Sequence, residues 1–376
     1  MKPFVLLALL FLNACYTTSP KLEKTSWKWK HIQKQPRPIV PESNPMDSAK
    51  VELGRFLFYD SNLSANAKVS CASCHNPKFG FGDSLARPLG VLGDTLHRNA
   101  QPLINVAYYN TFTWMNPTLT TLEDQMRNPL FGESPKEMGL SDQNLPEIIH
   151  RFLNQDLYQE KFATVFPKET ITIDHFIQSI AAFQRTLLSF SSPYDKYLDG
   201  DVQALTSEEI MGKDLFFSER LECSHCHNGR HLSTAYKDAE SRLGELSFFN
   251  TGMYNIDSLG NYPEPNLGLY EASLKNQDRG KFRPPTLRNV ALTAPYLHDG
   301  SAATLEEVLS LYASGGRNIL NGPNQGDGRQ NPNKSQFIKG FELTSQETKA
   351  LLAFLHSLTD TTFINEPEFQ NPFGQL

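Results

Sequence analysis

The sequence of 376 residues lacks a strong excess of charge of either sign, since 35 lysines and arginines stand against 41 aspartates and glutamates. It also lacks the clusters of basic residues with which nucleic-acid-binding proteins contact phosphates, so we expect no nucleic acid partner. Glycine and proline, with 23 and 24 residues, are near their average frequency, which excludes a low-complexity chain. With 39% apolar residues, the chain is long and apolar enough for one or two ordinary globular domains.

Long apolar segments are also scarce. The segment from Phe4 to Leu12 is too short to span a bilayer and has the length of the apolar region of a signal peptide. It ends near Cys15 in an arrangement that resembles a bacterial lipobox, although Asn13 is unusual there and an ordinary cleaved signal peptide is the alternative. We expect residues 1–15 to be a lipoprotein signal peptide and residues 16–45 a polar tether. The protein would then be exported to the periplasm and held at the membrane by a lipid anchor only.

Cysteine is scarce as well, with five residues in the chain. Apart from Cys15, the cysteines form two C-x-x-C-H motifs, which are Cys71, Cys74 and His75, and Cys223, Cys226 and His227. This motif attaches c-type haem, because two thiols on one helical turn reach the haem vinyl groups and the adjacent histidine binds the iron. A zinc site would need its two cysteine pairs much closer in the chain, and a thioredoxin-like motif would need a βαβ pattern nearby. The sequence therefore predicts two covalently bound haem c groups.

A similar apolar segment precedes each haem motif. Glu52 to Tyr59 and Ile210 to Phe217 both have glycine in third place, with leucine and phenylalanine on one helical face. This repetition predicts two short amphipathic helices, and therefore two copies of a cytochrome-like unit.

Two further segments, Thr172 to Phe190 and Ser345 to Thr359, have apolar residues at helical spacing. Alternation typical of strands is scarce, so the predicted fold class is mainly α. The polar segment from Asp195 to Asp201 is the predicted crossover between the units. The expected domains are residues 46–200, with the first haem, and residues 201–376, with the second.

Short segments around the two motifs resemble the bacterial di-haem cytochrome c peroxidase and MauG superfamily, from about Pro41 to Asp360. They are Leu57-Phe58-Tyr59-Asp60 before the first motif, Arg98-Asn99-Ala100-Gln101-Pro102 after it, Phe183-Gln184-Arg185 in the connection, and Pro285-Thr286-Leu287-Arg288-Asn289-Val290 with His298-Asp299-Gly300 after the second motif. The resemblance implies two cytochrome c-like haem domains packed around an inter-domain calcium site. It also implies an enzyme whose N-terminal haem reacts with hydrogen peroxide and whose C-terminal haem transfers electrons.

The resemblance further implies the ligands of the second haem iron. The peroxidase branch has a distal methionine, and this sequence has Tyr312 at that position, followed by a glycine pair as in the MauG-like branch. His227 and Tyr312 are therefore the expected axial ligands, with His298 in the same cofactor pocket. A phenolate ligand favours oxidised iron. From residue type alone, Tyr312 could also be a helix core residue whose hydroxyl finds a hydrogen-bond partner.

The first haem iron, bound by His75, is expected to keep an open position. Where His-ligated peroxidases have a distal histidine, this sequence has Val91, and residues 85–95 contain neither histidine nor methionine. His97 is the nearest candidate, but its neighbours indicate a polar loop residue. An open iron would react with peroxide without first being reduced.

Cleavage of an iron-bound peroxide needs a group that moves a proton between the two oxygens. The resemblance assigns this role to Glu137, with Glu133 as a rival, and assigns a companion amide to Gln125. It also matches Trp114 to an aromatic residue between the haems. From the sequence alone, Glu137 could be a solvated carboxylate and Trp114 an ordinary buried indole.

The calcium site implied by the resemblance would be held by the Asn99 side chain and by carbonyl oxygens around Thr293 and Pro295. Oxygen ligands suit Ca²⁺, although three of them need water to complete the shell. From the sequence alone, these three are turn residues.

The segments Trp114-Met115-Asn116-Pro117 and Glu137-Met138-Gly139 resemble the methanobactin-associated, MbnH-like subgroup, whose members oxidise a tryptophan of a small partner protein. The expected function is therefore the peroxide-driven oxidation of a partner protein side chain, through a high-valent state shared by both haems. The alternative is a peroxidase supplied with electrons by a small cytochrome or cupredoxin. A further alternative is a non-enzymatic di-haem electron-transfer lipoprotein.

Overall fold

The computed structural model describes residues 27–241 and 247–374 of the protein. Its helices are α1 (Ser48–Tyr59), α2 (Cys71–Cys74), α3 (Leu122–Phe131), α4 (Leu145–Leu153), α5 (Asp156–Val165), α6 (Ile173–Gln184), α7 (Pro193–Leu198), α8 (Ser207–Phe216), α9 (Tyr270–Ser273), α10 (Leu305–Ala313) and α11 (Ser345–Ser357). Two-residue strands form two antiparallel pairs, β1 (Phe249–Asn250) with β2 (Lys281–Phe282) and β3 (Asn318–Ile319) with β4 (Gly326–Asp327). The predicted mainly α fold class is confirmed.

The same helix crossing occurs twice. In the first half α1 packs against α6, and in the second half α8 packs against α11. A Cβ atom at Gly54 of α1 would lie 1.9 Å from the carbonyl oxygen of Ser179, and one at Gly212 of α8 would lie 1.9 Å from that of Ala350. Only glycine allows two backbones to approach this closely. The glycine shared by the two sequence segments therefore has the same role in both crossings.

The helix predicted from Thr172 to Phe190 is shorter in the structure, because α6 ends at Gln184. The residues that follow bond to a loop instead of continuing the helix. The amide of Asn105 donates to the carbonyl oxygen of Leu187, and its side chain donates to that of Ser189, at 2.8 and 3.1 Å. The predicted helices before the haem motifs and at Ser345 are confirmed.

Two apolar cores lie beneath these crossings. In the first, the rings of Phe58 and Phe183 have centroids 5.3 Å apart. In the second, the rings of Phe216 and Phe354 are also 5.3 Å apart. Aromatic pairs at such distances contribute beyond the apolar area that they bury.

The end of the chain returns to the first core. Phe363 and Phe369 are both buried there, and the hydroxyl of Tyr59 donates to the carbonyl oxygen of Phe369 at 2.6 Å. Two residues of the predicted second domain thus contribute their rings to the core of the first half of the chain.

Residues 27–45 form an N-terminal strap on the body of the protein. The hydroxyl of Tyr108 donates to the carbonyl oxygen of Pro36 at 2.8 Å. The Asn44 side chain is 1% exposed and donates to the carbonyl oxygen of Gln178 at 2.9 Å. This part of the predicted tether thus packs on the body of the protein at Gln35, Pro38 and Asn44, while several of its charged side chains are exposed.

The predicted signal peptide, the lipobox at Cys15 and the first part of the tether lie outside the described residues. Within residues 27–241 and 247–374, no helix is long and apolar enough to cross a membrane.

The predicted crossover begins inside the protein. Asp195 lies on the short helix α7 and is buried. It accepts a hydrogen bond from the hydroxyl of Ser192 at 2.6 Å and forms an ion pair with Arg288 at 2.7 Å. The prediction of a polar crossover is therefore wrong at Asp195, because a buried arginine from the second half of the chain neutralises this carboxylate.

Candidate functional site

The first haem motif forms one wall of a cavity. Cys71 and Cys74 lie on the single turn of α2, and His75 follows directly. The Nδ1 of His75 lies 2.9 Å from the carbonyl oxygen of Phe81 and donates to it, which leaves Nε2 as the atom available to a metal. Burial lowers the pKa of His75, so the imidazole is neutral, as a metal ligand must be.

The second motif repeats this arrangement in a second cavity. Cys223 and Cys226 line its wall with His227, whose Nδ1 donates to the carbonyl oxygen of Leu232 at 3.1 Å. Burial lowers the pKa of His227 to about 4. Both histidines thus have Nδ1 bonded to a carbonyl oxygen of the loop that follows the motif.

These two sets of donors fit two haem c groups. The four cysteines of the motifs are not joined in disulfides, so their thiols are available for attachment. A structural zinc site needs four donors around one ion, whereas the two motifs line separate cavities.

Glu137 and Gln125 lie in the wall of the first cavity, with the His75 motif. Burial raises the pKa of the Glu137 carboxyl group, so its protonated form is less costly than that of a surface glutamate. Glu133, the rival candidate, is exposed on the surface. The structure therefore brings Glu137 and not Glu133 to the first haem motif.

Several other groups lie in the neighbourhood of Glu137. The amide of Val91 donates to the carbonyl oxygen of Glu137 at 3.0 Å, so the loop without a distal histidine supports the glutamate segment. His97, interpreted as a polar loop residue, also lies in the cavity wall, together with Met126 and Met138. Of these residues, Met126 had no signal in the sequence.

Tyr312 lies on α10 and lines the second cavity with His227. Burial, with the thiols of Cys226 and Cys223 nearby, raises the pKa of its phenol. Tyr312 and His227, the two predicted ligands of the second haem iron, thus line the same cavity.

His298 lines the same cavity and is 3% exposed. Its ring stacks on that of Phe282, with centroids 3.8 Å apart. Its Nε2 has no hydrogen-bond partner among the residues that the structure describes. Buried polar atoms are normally paired, so this atom in a cavity wall indicates a site for a bound group.

Trp114 lies between the two cavities and contributes to the wall of both. Its indole Nε1 donates to the carbonyl oxygen of Asn99 at 2.9 Å. Its own carbonyl oxygen accepts a hydrogen bond from the amide of Arg283 at 2.8 Å. Asn99 and Arg283 also line both cavities, and Arg283 is 1% exposed. Sequence reasoning missed Arg283, because the fold alone brings it to Trp114.

The three residues of the predicted calcium site meet in the wall of the second cavity. Asn99 lines it together with Thr293 and Pro295. The Nδ2 of Asn99 donates to the carbonyl oxygen of Leu85 at 3.1 Å, and the hydroxyl of Thr293 donates to that of Val290 at 3.1 Å. Oxygen atoms at this place suit calcium, and the metal stays a prediction.

Known proteins resemble this chain over most of its length. The sequence model of the di-haem cytochrome c peroxidase family matches residues 48–203. A cytochrome-c peroxidase of Denitromonas iodatirespirans is 32% identical over 90% of this chain and 89% of the relative. The methylamine utilization protein MauG of Methylorubrum extorquens is 32% identical over 85% of this chain and 80% of the relative. The crystal structure of a MauG-like protein associated with microbial copper homeostasis has a TM-score of 0.90 and 48% identity, covering 92% of this chain and 99% of that one.

Proposed function

Because the chain belongs to the di-haem cytochrome c peroxidase family, we propose that it uses hydrogen peroxide to oxidise a side chain of a partner protein. Members of this family are di-haem oxidoreductases, and the two C-x-x-C-H motifs supply the thiols and imidazoles for two c-type haems. When bound, the haem iron supplies the redox chemistry that cleaves the O–O bond of peroxide.

Glu137 has the proton-transfer role in the first cavity. Its carboxylate would accept a proton from one peroxide oxygen and deliver it to the other, which then leaves as water. Its raised pKa favours this role, since the carboxyl group holds the proton between the two transfers at little cost. The amide of Gln125, in the same wall, would position the peroxide by hydrogen bonding.

The observation that carries the proposal is the position of Tyr312 in the cavity of His227. A tyrosine ligand favours oxidised iron, whereas a methionine ligand raises the reduction potential and suits delivery of electrons. A Tyr-ligated site therefore suits an enzyme that stores oxidising equivalents until a protein substrate docks.

The Tyr312→Phe variant tests this ligand. We expect EPR spectra of the ferric wild-type protein to show one low-spin and one high-spin haem, and we expect the variant to lose the low-spin signal, because phenylalanine cannot bind iron. The Tyr270→Phe variant is the control, since Tyr270 packs in the same apolar cluster without lining the second cavity. Two low-spin haems with a methionine–iron charge-transfer band would instead favour the electron-carrier function.

We infer that the partner is a small periplasmic protein with an oxidisable tryptophan. The resemblance of the Trp114-Met115-Asn116-Pro117 segment to the MbnH-like subgroup supports this partner. The 48% identity to a MauG-like protein associated with microbial copper homeostasis supports the MauG-like branch. The second candidate is a peroxidase that takes electrons from a small cytochrome or cupredoxin, which is supported by the names of several relatives.

One titration separates the two candidates. We expect one equivalent of peroxide to bleach the Soret bands of the fully ferric protein, because the first iron needs no prior reduction. Addition of the partner should restore the bands while a partner tryptophan gains oxygen, as measured by mass spectrometry. If the ferric protein ignores peroxide until it is half-reduced, and then turns over with reduced cytochrome c, the conventional peroxidase is correct.

The proposal has three further parts. They are two haem domains divided near residue 200, a calcium ion held near Asn99, Thr293 and Pro295, and export as a lipoprotein through Cys15. The three oxygen-bearing residues that share one cavity wall support the calcium ion.

A further inference from the structure

A series of aromatic rings leads away from the first cavity. Tyr109 lines this cavity and is 6% exposed. The centroid of its ring lies 4.4 Å from that of Tyr236. The ring of His231 stacks on Tyr236 at 4.3 Å and lies 4.5 Å from Tyr108 on its other side. These four residues, which we call the aromatic series, are in ring contact throughout.

The outer end of the aromatic series lies at the N-terminal strap. Trp29 of the strap packs against the apolar cluster that contains Tyr108 and Phe190. Trp29 is half-buried, and its ring centroid lies 5.9 Å from that of Trp27. The chain has three tryptophans, so the two that do not lie between the haem cavities both lie at the end of the aromatic series.

The inner end of the aromatic series, Tyr109 at the first cavity, lies beside a positive charge. The guanidinium of Arg283 lies 3.6 Å from the ring centroid of Tyr109, and the backbone of Arg283 bonds to Trp114 between the cavities. A cation over an aromatic ring stabilises its electrons, so the charge of Arg283 disfavours an oxidised Tyr109. An electron vacancy that enters at Tyr109 is therefore not expected to stay there.

His231 and Tyr236 are buried titratable groups that the proposed peroxide reaction does not use. Burial, with Arg288 and Arg230 nearby, lowers the pKa of His231, so its ring is neutral. Its Nδ1 has no hydrogen-bond partner in the described part of the chain. Burial, with Tyr109 alongside, raises the pKa of Tyr236, so its phenol keeps the proton. A buried unpaired nitrogen in ring contact with a phenol calls for an explanation, and a redox role supplies one.

We propose that the aromatic series conducts electrons from Trp29 to the first cavity, which makes Trp29 an outer oxidation site for an indole or phenol side chain of a partner. This inference rests on the proposed function, since peroxide supplies the oxidising equivalents. In each step one ring gives one electron to its inner neighbour. Each ring is then refilled by the next ring outward, so the aromatic series itself undergoes no net change.

The net change per event is the loss of one electron and of the Nε1 proton from Trp29, and the partner's indole or phenol replaces both. Two events supply the two electrons and two protons that convert one peroxide into two water molecules. No substrate has to reach either iron.

The experiment uses the full-length protein with both haems, peroxide and a nitrone spin trap, followed by peptide mass spectrometry. In the wild type, we expect the trap to be attached to the strap tryptophans, Trp27 and Trp29. We expect this adduct to be lost in Tyr236→Phe, since phenylalanine keeps the shape of the ring but is much harder to oxidise. Tyr197→Phe is the matched control, because Tyr197 is half-buried in the second core and outside the aromatic series.

The Soret bands, recorded in the same samples, distinguish failure of this inference from failure of the proposed function. One outcome is that the bands respond to peroxide in the wild type and in Tyr236→Phe. If the adduct yield is then equal in both proteins, or if the strap tryptophans of the wild type carry no adduct, the aromatic series does not conduct electrons. If the bands of the wild type do not respond at all, the proposed function fails and this inference fails with it.

The Trp29→Phe variant is an independent test. Trp29 is a half-buried side chain of the strap, so its replacement is not expected to disturb the folding of the haem cavities. Without a partner, its Soret bands should recover from peroxide more slowly than those of the wild type and of Tyr197→Phe, because the outermost electron donor is missing. Equal recovery in all three proteins would overturn the inference.

Discussion

Replacement of Glu137 by glutamine is expected to slow the reaction with peroxide by about 10²–10⁴-fold, the usual effect of losing a positioned proton carrier. Glutamine keeps the size of the side chain and its place in the cavity wall, but it cannot accept a proton from peroxide. The haem content and the resting spectrum should not change. Stopped-flow measurement of Soret bleaching gives the rate constant directly.

The pH dependence of the same rate constant follows from the raised pKa of Glu137. The carboxylate must be deprotonated to accept the first proton, so the rate should fall as the pH decreases through a pKa above the usual range of glutamate. This dependence should be absent from Glu137→Gln. The exposed Glu133 provides the control, and a slow Glu133→Gln variant beside a normal Glu137→Gln variant would assign the proton transfer to the rival residue instead.

The Arg288→Met variant should have the largest effect on stability. The side chains of Arg288 and Asp195 are 2% and 5% exposed, and their ion pair measures 2.7 Å. Removal of the arginine leaves a buried carboxylate without its counter-charge, which typically costs about 3–5 kcal/mol. We therefore expect a clear decrease in the thermal midpoint measured by differential scanning calorimetry.

The Arg127→Met variant controls for the loss of an arginine as such. The side chains of Arg127 and Asp174 are 50% and 57% exposed, so their ion pair should contribute only about 0–1 kcal/mol. If both variants melted at the same temperature, Asp195 would have an alternative partner, and the connection between the two halves of the chain would not depend on Arg288.

The parts of the fold that the sequence predicted are those that short-range patterns determine. The apolar faces of α1 and α8 repeat over a few residues, and the shared glycine indicated that the two helices are equivalent. The haem motifs are equally local, since two thiols and one imidazole lie within five consecutive positions. The two haem attachment sites could therefore be predicted without any knowledge of how the two halves pack.

Contacts between distant parts of the chain could not be predicted in this way. The strap has a polar sequence typical of a tether, yet Asn44 is buried because its amide meets the carbonyl group of Gln178. Arg283 had no motif of its own, and its role depends on Trp114, which lies far away in the sequence. The sequence likewise placed Asp195 in a polar crossover, because its partner Arg288 lies far away in the chain.

The return of Phe363 and Phe369 to the first core sets the order in which the protein can mature. The first haem motif is translated long before these two rings. Haem attachment at Cys71 and Cys74 can therefore precede closure of the core around them. The core of the first half is therefore complete only after the chain has been made as far as Phe369.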